Sequence, residues 1–206
     1  MNETPPRMRD RAATEQSLVD AAREVLSEVG FQGLGINAVA RRAGCDKQLI
    51  YRYFGGLDGL VEAVGEGIAE TWKRSLVPPP AGDLPATYRD FAERMMLGFL
   101  DTLRADPLMQ KIMVWEIAEP SDLVRRLTLA RSRAMSRWVA ESRGALVPPP
   151  GVDVQAANAM VLAAILHLVL AGAAAGQFSG LPLATEADWQ RVRAAIVAMV
   201  AAAYPA

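Results

Sequence analysis

The sequence predicts an all-α protein, and three observations carry that reading. Apolar residues recur at three- and four-residue spacing along most of the 206 residues. Proline clusters at Pro78-Pro79-Pro80 and Pro148-Pro149-Pro150 break the periodicity into segments, none of which makes a convincing strand. Between Gly33 and Phe54, two short helical stretches are joined by a tight glycine-containing turn, a helix-turn-helix pattern.

The N-terminus, Met1 to Pro6, is polar and proline-rich; it reads as disordered, within a flexible arm over 1–12 that shows no signal peptide. Thr14 is a plausible cap for a first helix that carries Leu18, Ala21, Ala22, Val25 and Val29 on one side and stops at Gly30. Phe31 is expected to fold back onto it. A second helix, about 36–43, buries Ile36, Val39, Ala40 and Ala43, and Gly44 ends it in the left-handed conformation. Asp46 caps the third, which sends Ile50 and Phe54 inward and displays Lys47, Gln48, Tyr51 and Arg52.

Six more helices follow, at about 58–76, 84–105, 108–118, 122–143, 153–177 and 186–203, with Pro107 and Pro120 in the short links. Gly65 and Gly67 weaken the interior of the fourth and are compatible with bending. The divisions are therefore the arm 1–12, a helix-turn-helix domain 13–57, and a helical domain 58–206.

Composition bounds the function. A net charge of −1 does not by itself advertise nucleic-acid binding, yet Arg41, Arg42, Lys47 and Arg52 gather around the third helix. Cys45 is the only cysteine, so no internal disulfide forms and a reducing cytoplasm fits; it reads as packing, with a thiol sensor as the alternative. The apolar run Ala159–Gly176 contains His167 and several small residues, and reads as a buried helix rather than a membrane span. One histidine without a Cys or carboxylate cluster argues against a transition-metal sensor. Glu116, Glu119 and Asp122 lack any accompanying nucleophile, phosphate loop or metal motif, so no catalytic residues are assigned and no cofactor is implied. Glu119 or Asp122 is expected to favour the positive N-terminus of the next helix.

The combination Gly30-Phe31, Val39-Ala40, Ala43-Gly44, Ile50-Tyr51 and Tyr53-Phe54, with Leu60 in the fourth helix, resembles the DNA-binding domain of the tetracycline-repressor (TetR-like) family of bacterial transcriptional regulators. The resemblance covers residues 14–60, and the rest of the chain resembles the family in length and helical character. It implies that Lys47, Gln48 and Leu49 approach base edges, that Asn37 adds a contact from the preceding helix, and that Tyr51 and Tyr53 touch phosphates. The chemistry agrees, since Gln bridges adenine, Lys reaches guanine acceptors and apolar groups meet the thymine methyl. Arg52 completes the set. Two positions depart from the family: Gly35 stands where Thr or Ser is frequent, and Leu57 where Lys is common.

The resemblance further implies a nine-helix architecture that dimerises through the last two helices, about 153–177 and 186–203, and reads a palindromic operator. Trp189, Val192, Ile196, Met199 and Val200 supply the apolar side of the last helix. Met95, Met96, Phe99, Leu103, Met113, Trp115, Met135 and Trp138 on the middle helices are candidate walls of an effector pocket, with His167 as a candidate contact or a satisfied core or interface residue. The expectation is a cytoplasmic homodimeric repressor released by a small, mainly apolar effector, without membrane attachment. The alternative is a protein-interaction co-regulator of the same fold that does not bind DNA.

Overall fold

The computed structural model describes residues 6–75 and 85–205. The Pro78-Pro79-Pro80 break with Gly82 and the N-terminal residues 1–5 lie outside the described residues, as do the side chains of residues 6–10. Among the described residues there are nine helices and one short hairpin. They are α1 (Pro6–Gly33), α2 (Ile36–Ala43), α3 (Gln48–Phe54), α4 (Leu57–Ser75), α5 (Tyr88–Ala105), α6 (Pro107–Ala118), α7 (Asp122–Arg143), α8 (Val154–Ala175), β1 (Gln177–Phe178), β2 (Leu181–Pro182) and α9 (Glu186–Ala203). The all-α class holds, and the hairpin between α8 and α9 is an addition to it. Ser179 (φ 49°) and Gly180 (φ 81°) provide the two left-handed residues that so tight a turn demands.

The chain forms two compact units. The first comprises residues up to Thr71 together with Lys111–Ser136; the second comprises Trp72–Gln110 with the chain from Arg137 onward.

In the first unit, α1 begins at Pro6, a residue suited to a first helical turn, so Thr14 lies inside the helix rather than at its cap. Gly30 is the stop: at φ 69° it leaves the helical region, and Phe31 beyond it is buried. Leu18, Ala22, Val25 and Leu26 of α1, which packs on α2, are buried, as are Val39, Ile50, Leu60, Val61, Val64 and Leu127 of the same unit. Phe54 and Ile36, both expected inside, are half-buried. Gly44 closes α2 at φ 66°, and the side chain of Asp46 accepts the Gln48 N–H at 2.8 Å at the start of α3.

Gly65 is a packing residue. A Cβ there would lie 2.4 Å from the Leu127 carbonyl oxygen and 3.2 Å from the Ala130 Cβ, so its absence sets how closely α4 approaches α7. That contact gives this mid-helix glycine a packing role.

In the second unit, α5 packs against α8 and α9. Capping boxes start two of the helices: Thr87 with Asp90 for α5, and Thr185 with Asp188 for α9. The core gathers Tyr88, Phe91, Met96, Phe99, Leu100, Leu103, Ile165, Val169, Trp189, Val192, Ile196 and Val200. Gly172 of α8 admits the Trp189 ring, since a Cβ would stand 2.9 Å from its Cζ2. At the C-terminal end, Tyr204 is buried edge-on to Tyr88 (centroids 5.1 Å apart), and its hydroxyl donates to Asn158 Oδ1 at 2.8 Å. Burial, and secondarily Tyr88, push that hydroxyl up to about 12.

Candidate nucleic-acid interface

The third helix is short and anchored from one side. Ile50 is fully buried beneath it, while Lys47, Gln48 and Arg52 are exposed and Tyr51 is 56% exposed. Leu49 and Tyr53 are half-buried at the margins. Asn37 lies exposed on α2, whose entry at Gly35 is extended (φ −154°, ψ 156°) and has no side-chain cap, as a glycine dictates. All seven residues singled out from the sequence therefore sit on α3, its entry turn or the preceding helix. Five of them are open to solvent.

The positive charge around this face is not equally available. Arg42 is held by two carboxylates of α1, donating Nη1 at 3.0 Å to both Glu24 and Glu28 and Nη2 to Glu28 at 2.5 Å. These bonds push the guanidinium further above its ordinary range and draw the Glu28 carboxyl below its own. Arg42 thus staples α2 to α1. Arg52 forms no ion pair among the described residues, and its guanidinium carbon lies 5.8 Å from the Tyr53 ring centroid. Arg11 of α1 approaches the same ring at 5.4 Å. Leu57 opens α4 half-buried and contributes no charge. Cys45 is half-buried in the turn between α2 and α3; burial first, then Asp46, raises its thiol pKa, which favours the unreactive protonated form.

The head is tied to α6 and α7 by groups that no local sequence rule would pair. Glu119 does not serve the next helix, where Ser121 Oγ accepts the Val124 N–H. Its Oε2 instead accepts the N–H groups of Phe31 (2.8 Å) and Gln32 (3.3 Å), just past the Gly30 kink. Glu116 forms a largely buried bidentate pair with Arg131, each side chain 11% exposed. Arg126 reaches from α7 to Asp58 (3.1 Å) and Glu62 (2.8 Å) on α4.

The candidate effector residues fall in different settings. Met96, Phe99 and Leu103 lie on the buried side of α5, with the Phe99 ring edge-on to Trp72 at 5.2 Å. Met113 is buried in α6, and Met95, Met135 and Trp138 are half-buried. Trp115 is half-buried with its ring against Gly30, where an added Cβ would come within 3.0 Å of it. His167 is exposed on α8, edge-on to Phe178 of the hairpin at 4.5 Å, and so is not a core residue.

A groove of about 250 Å³ runs between α8 and α9, lined by residues including Val161, Ala164, Leu168, Arg191, Ala195 and Met199. None of the nine candidate effector residues lines it. Helix α8, expected to be buried, is not: only 17% of its most apolar stretch is covered within one chain, and by length and composition it could cross a membrane.

Comparison with known proteins adds a family context. The sequence model described as bacterial regulatory proteins, tetR family, matches residues 18–64. An HTH-type transcriptional regulator, BetI of Burkholderia thailandensis, is 28% identical over 173 residues, spanning 83% of this chain and 87% of that protein. Among solved structures, a TetR family transcription regulator from Marinobacter aquaeolei VT8 superposes with a TM-score of 0.64 at 15% identity, over 96% of this chain and 98% of the other. The multidrug binding protein EbrR, complexed with imidazole, superposes with a TM-score of 0.61 at 18% identity, over 93% and 95%. At these identities the structures speak for the fold alone.

Proposed function

Since residues 18–64 match the tetR family of bacterial regulatory proteins and the chain is similar to an HTH-type transcriptional regulator over most of its length, we propose that it is a DNA-binding regulator of that family, acting as a homodimeric repressor of a palindromic operator. The observation that carries the reading is the display of α3: Gln48 and Tyr51 on the helix and Lys47 at its entry stand exposed, with Ile50 pinned beneath. Residues 13–57 read DNA in this account, and residues 58–206 hold the effector and the dimer contact. Lys47, Gln48 and Leu49 face base edges, with Asn37 beside them; Tyr51, Arg52 and Tyr53 face the phosphates.

Dimerisation follows from the uncovered side of α8 and the groove it forms with α9. Met160, 72% exposed, and Met199 lie on this surface, which water covers poorly and a second copy related by two-fold symmetry covers well. This occupant is favoured over a membrane because Gln155, Asn158 and His167 interrupt the helix and the curated relative is a transcriptional regulator. A cytoplasmic location accompanies it. The effector is small and mainly apolar, held by the Met and aromatic residues of the middle helices. It releases the operator by favouring a form whose recognition helices no longer match successive major grooves.

Selection of bound sequences from a random duplex library tests the reading. An enriched palindrome with one half-site per protomer is the expected result. A folded dimer that binds no duplex even at low salt would replace the repressor with a protein-interaction co-regulator.

A further inference from the structure

Arg11 and Arg52 come from different helices and converge on one aromatic ring. The helical backbone from Pro6 onward makes Arg11 part of α1, not of a free arm, and its guanidinium carbon lies 5.4 Å from the Tyr53 centroid. Arg52, the neighbour of Tyr53 on α3, lies 5.8 Å from the same centroid. Each cation is held by the ring's negative face. A guanidinium turned toward a ring keeps its edge nitrogens for other partners, and those edges match a phosphate bidentately. The ion pair of Arg11 with Glu15 engages Nε at 2.8 Å, and Arg52 has no ion pair among the described residues.

We propose that Arg11 is a DNA-phosphate ligand: Arg11 and Arg52, gathered about the Tyr53 ring, form a two-guanidinium seat for neighbouring backbone phosphates beside the recognition helix, one phosphate to each. The seat supplies the positive charge that Leu57 does not. Arg42 is not a substitute, because Glu24 and Glu28 already neutralise it. Glu15 holds Arg11 in place in the free protein and opposes the phosphate in the complex. The assignment rests on the DNA-binding reading above and extends it to a residue outside the helix-turn-helix itself.

The test measures binding of full-length protein to the selected palindrome and to an unrelated duplex, over a series of salt concentrations. Arg11→Ala is expected to weaken both by the same factor, about five- to tenfold at low salt, and to lower the slope of log affinity against log salt by about 0.9 for the one phosphate no longer neutralised. The ratio between the two duplexes should stay at the wild-type value, since phosphate contacts carry no sequence information. Arg11→Lys should retain the slope, and Glu15→Gln should tighten both duplexes.

A folded Arg11→Ala protein with wild-type affinity and slope overturns the proposal. So does a changed ratio between duplexes, which would make Arg11 a support for α3 and not a phosphate ligand. Should Arg11→Ala fail to fold, loss of the slope in Arg11→Lys or unchanged binding in Glu15→Gln is equally fatal. Absence of any duplex binding by the wild-type protein removes the repressor reading and this seat together.

Discussion

The carboxylate of Glu119 lies 2.8 Å from the backbone nitrogen of Phe31, across 88 positions of sequence. The kink at Gly30 frees that N–H from the helical ladder, and the carboxylate takes it up along with the N–H of Gln32. Trp115 closes the other side, so the end of α1 is held by one ion and one ring at the turn between α6 and α7. Glu119→Ala leaves two amides without their acceptor and should cost about 1–3 kcal/mol by urea denaturation. Gly30→Ala should cost at least as much, about 1–3 kcal/mol from the left-handed φ alone, with the Trp115 clash added.

The proposed reading gives base contacts to Lys47 at the entry of α3 and to Gln48 on it. Lys47→Ala and Gln48→Ala are expected to relax preference at distinct operator positions, each reducing discrimination against the wrong base there by about 1–3 kcal/mol. Competition binding against single-base operator variants measures this. Indifference to both substitutions would mean that another surface reads the bases.

The close approach of α4 and α7 is set by a missing methyl group. Gly65→Ala drives a Cβ into the Leu127 carbonyl oxygen and should destabilise by about 1–3 kcal/mol, although alanine is the better helix former by about 1 kcal/mol. A thermal unfolding midpoint equal to or above the wild type would contradict this packing role.

The α8–α9 surface predicts a charge-sensitive assembly. Met160→Lys or Met199→Glu places a charge on the proposed two-fold interface and should give monomers in sedimentation, with the helical circular dichroism retained. Unaltered dimers in both variants would move the interface elsewhere. Gly172→Ala tests the same surface from beneath, by displacing Trp189.

Tyr204 predicts a pH dependence on the alkaline side. Its folded pKa of about 12 lies above the ordinary value of 10, so the folded state prefers the protonated phenol. That contribution is fully present below about pH 10 and is lost as pH rises through about 12. Tyr204→Phe removes the hydrogen bond to Asn158, costing about 0.5–1.5 kcal/mol near neutrality. The stability difference between the two proteins should then shrink from pH 10 to 12 in denaturant titrations.

The sequence was most informative where local rules decide the outcome. Gly30, Gly44 and Pro107 mark helix ends by backbone conformation, which neighbouring residues determine. The exposure pattern around α3 was equally legible: Ile50 is buried as expected, and Lys47, Gln48, Tyr51 and Arg52 are exposed. Long-range partners were not. Nothing in Glu119 or Gly65 indicates a backbone amide 88 residues away or a carbonyl on another helix. The Thr14 cap failed because Pro6 starts α1 more than two turns earlier. The burial expected of α8 failed for a different reason: its residues are apolar nearly all round, and such composition does not say how much of the helix one chain covers.

That last distinction bears on how the protein is made. Under the proposed dimer, a newly synthesised chain completes α8 only after α1 to α7 and leaves its apolar surface open to chaperones and proteases until a second chain arrives. Unpaired copies would be removed and paired ones spared. Clearance by the cell's quality-control machinery would then set a lower bound on the regulator's working abundance, independent of any effector.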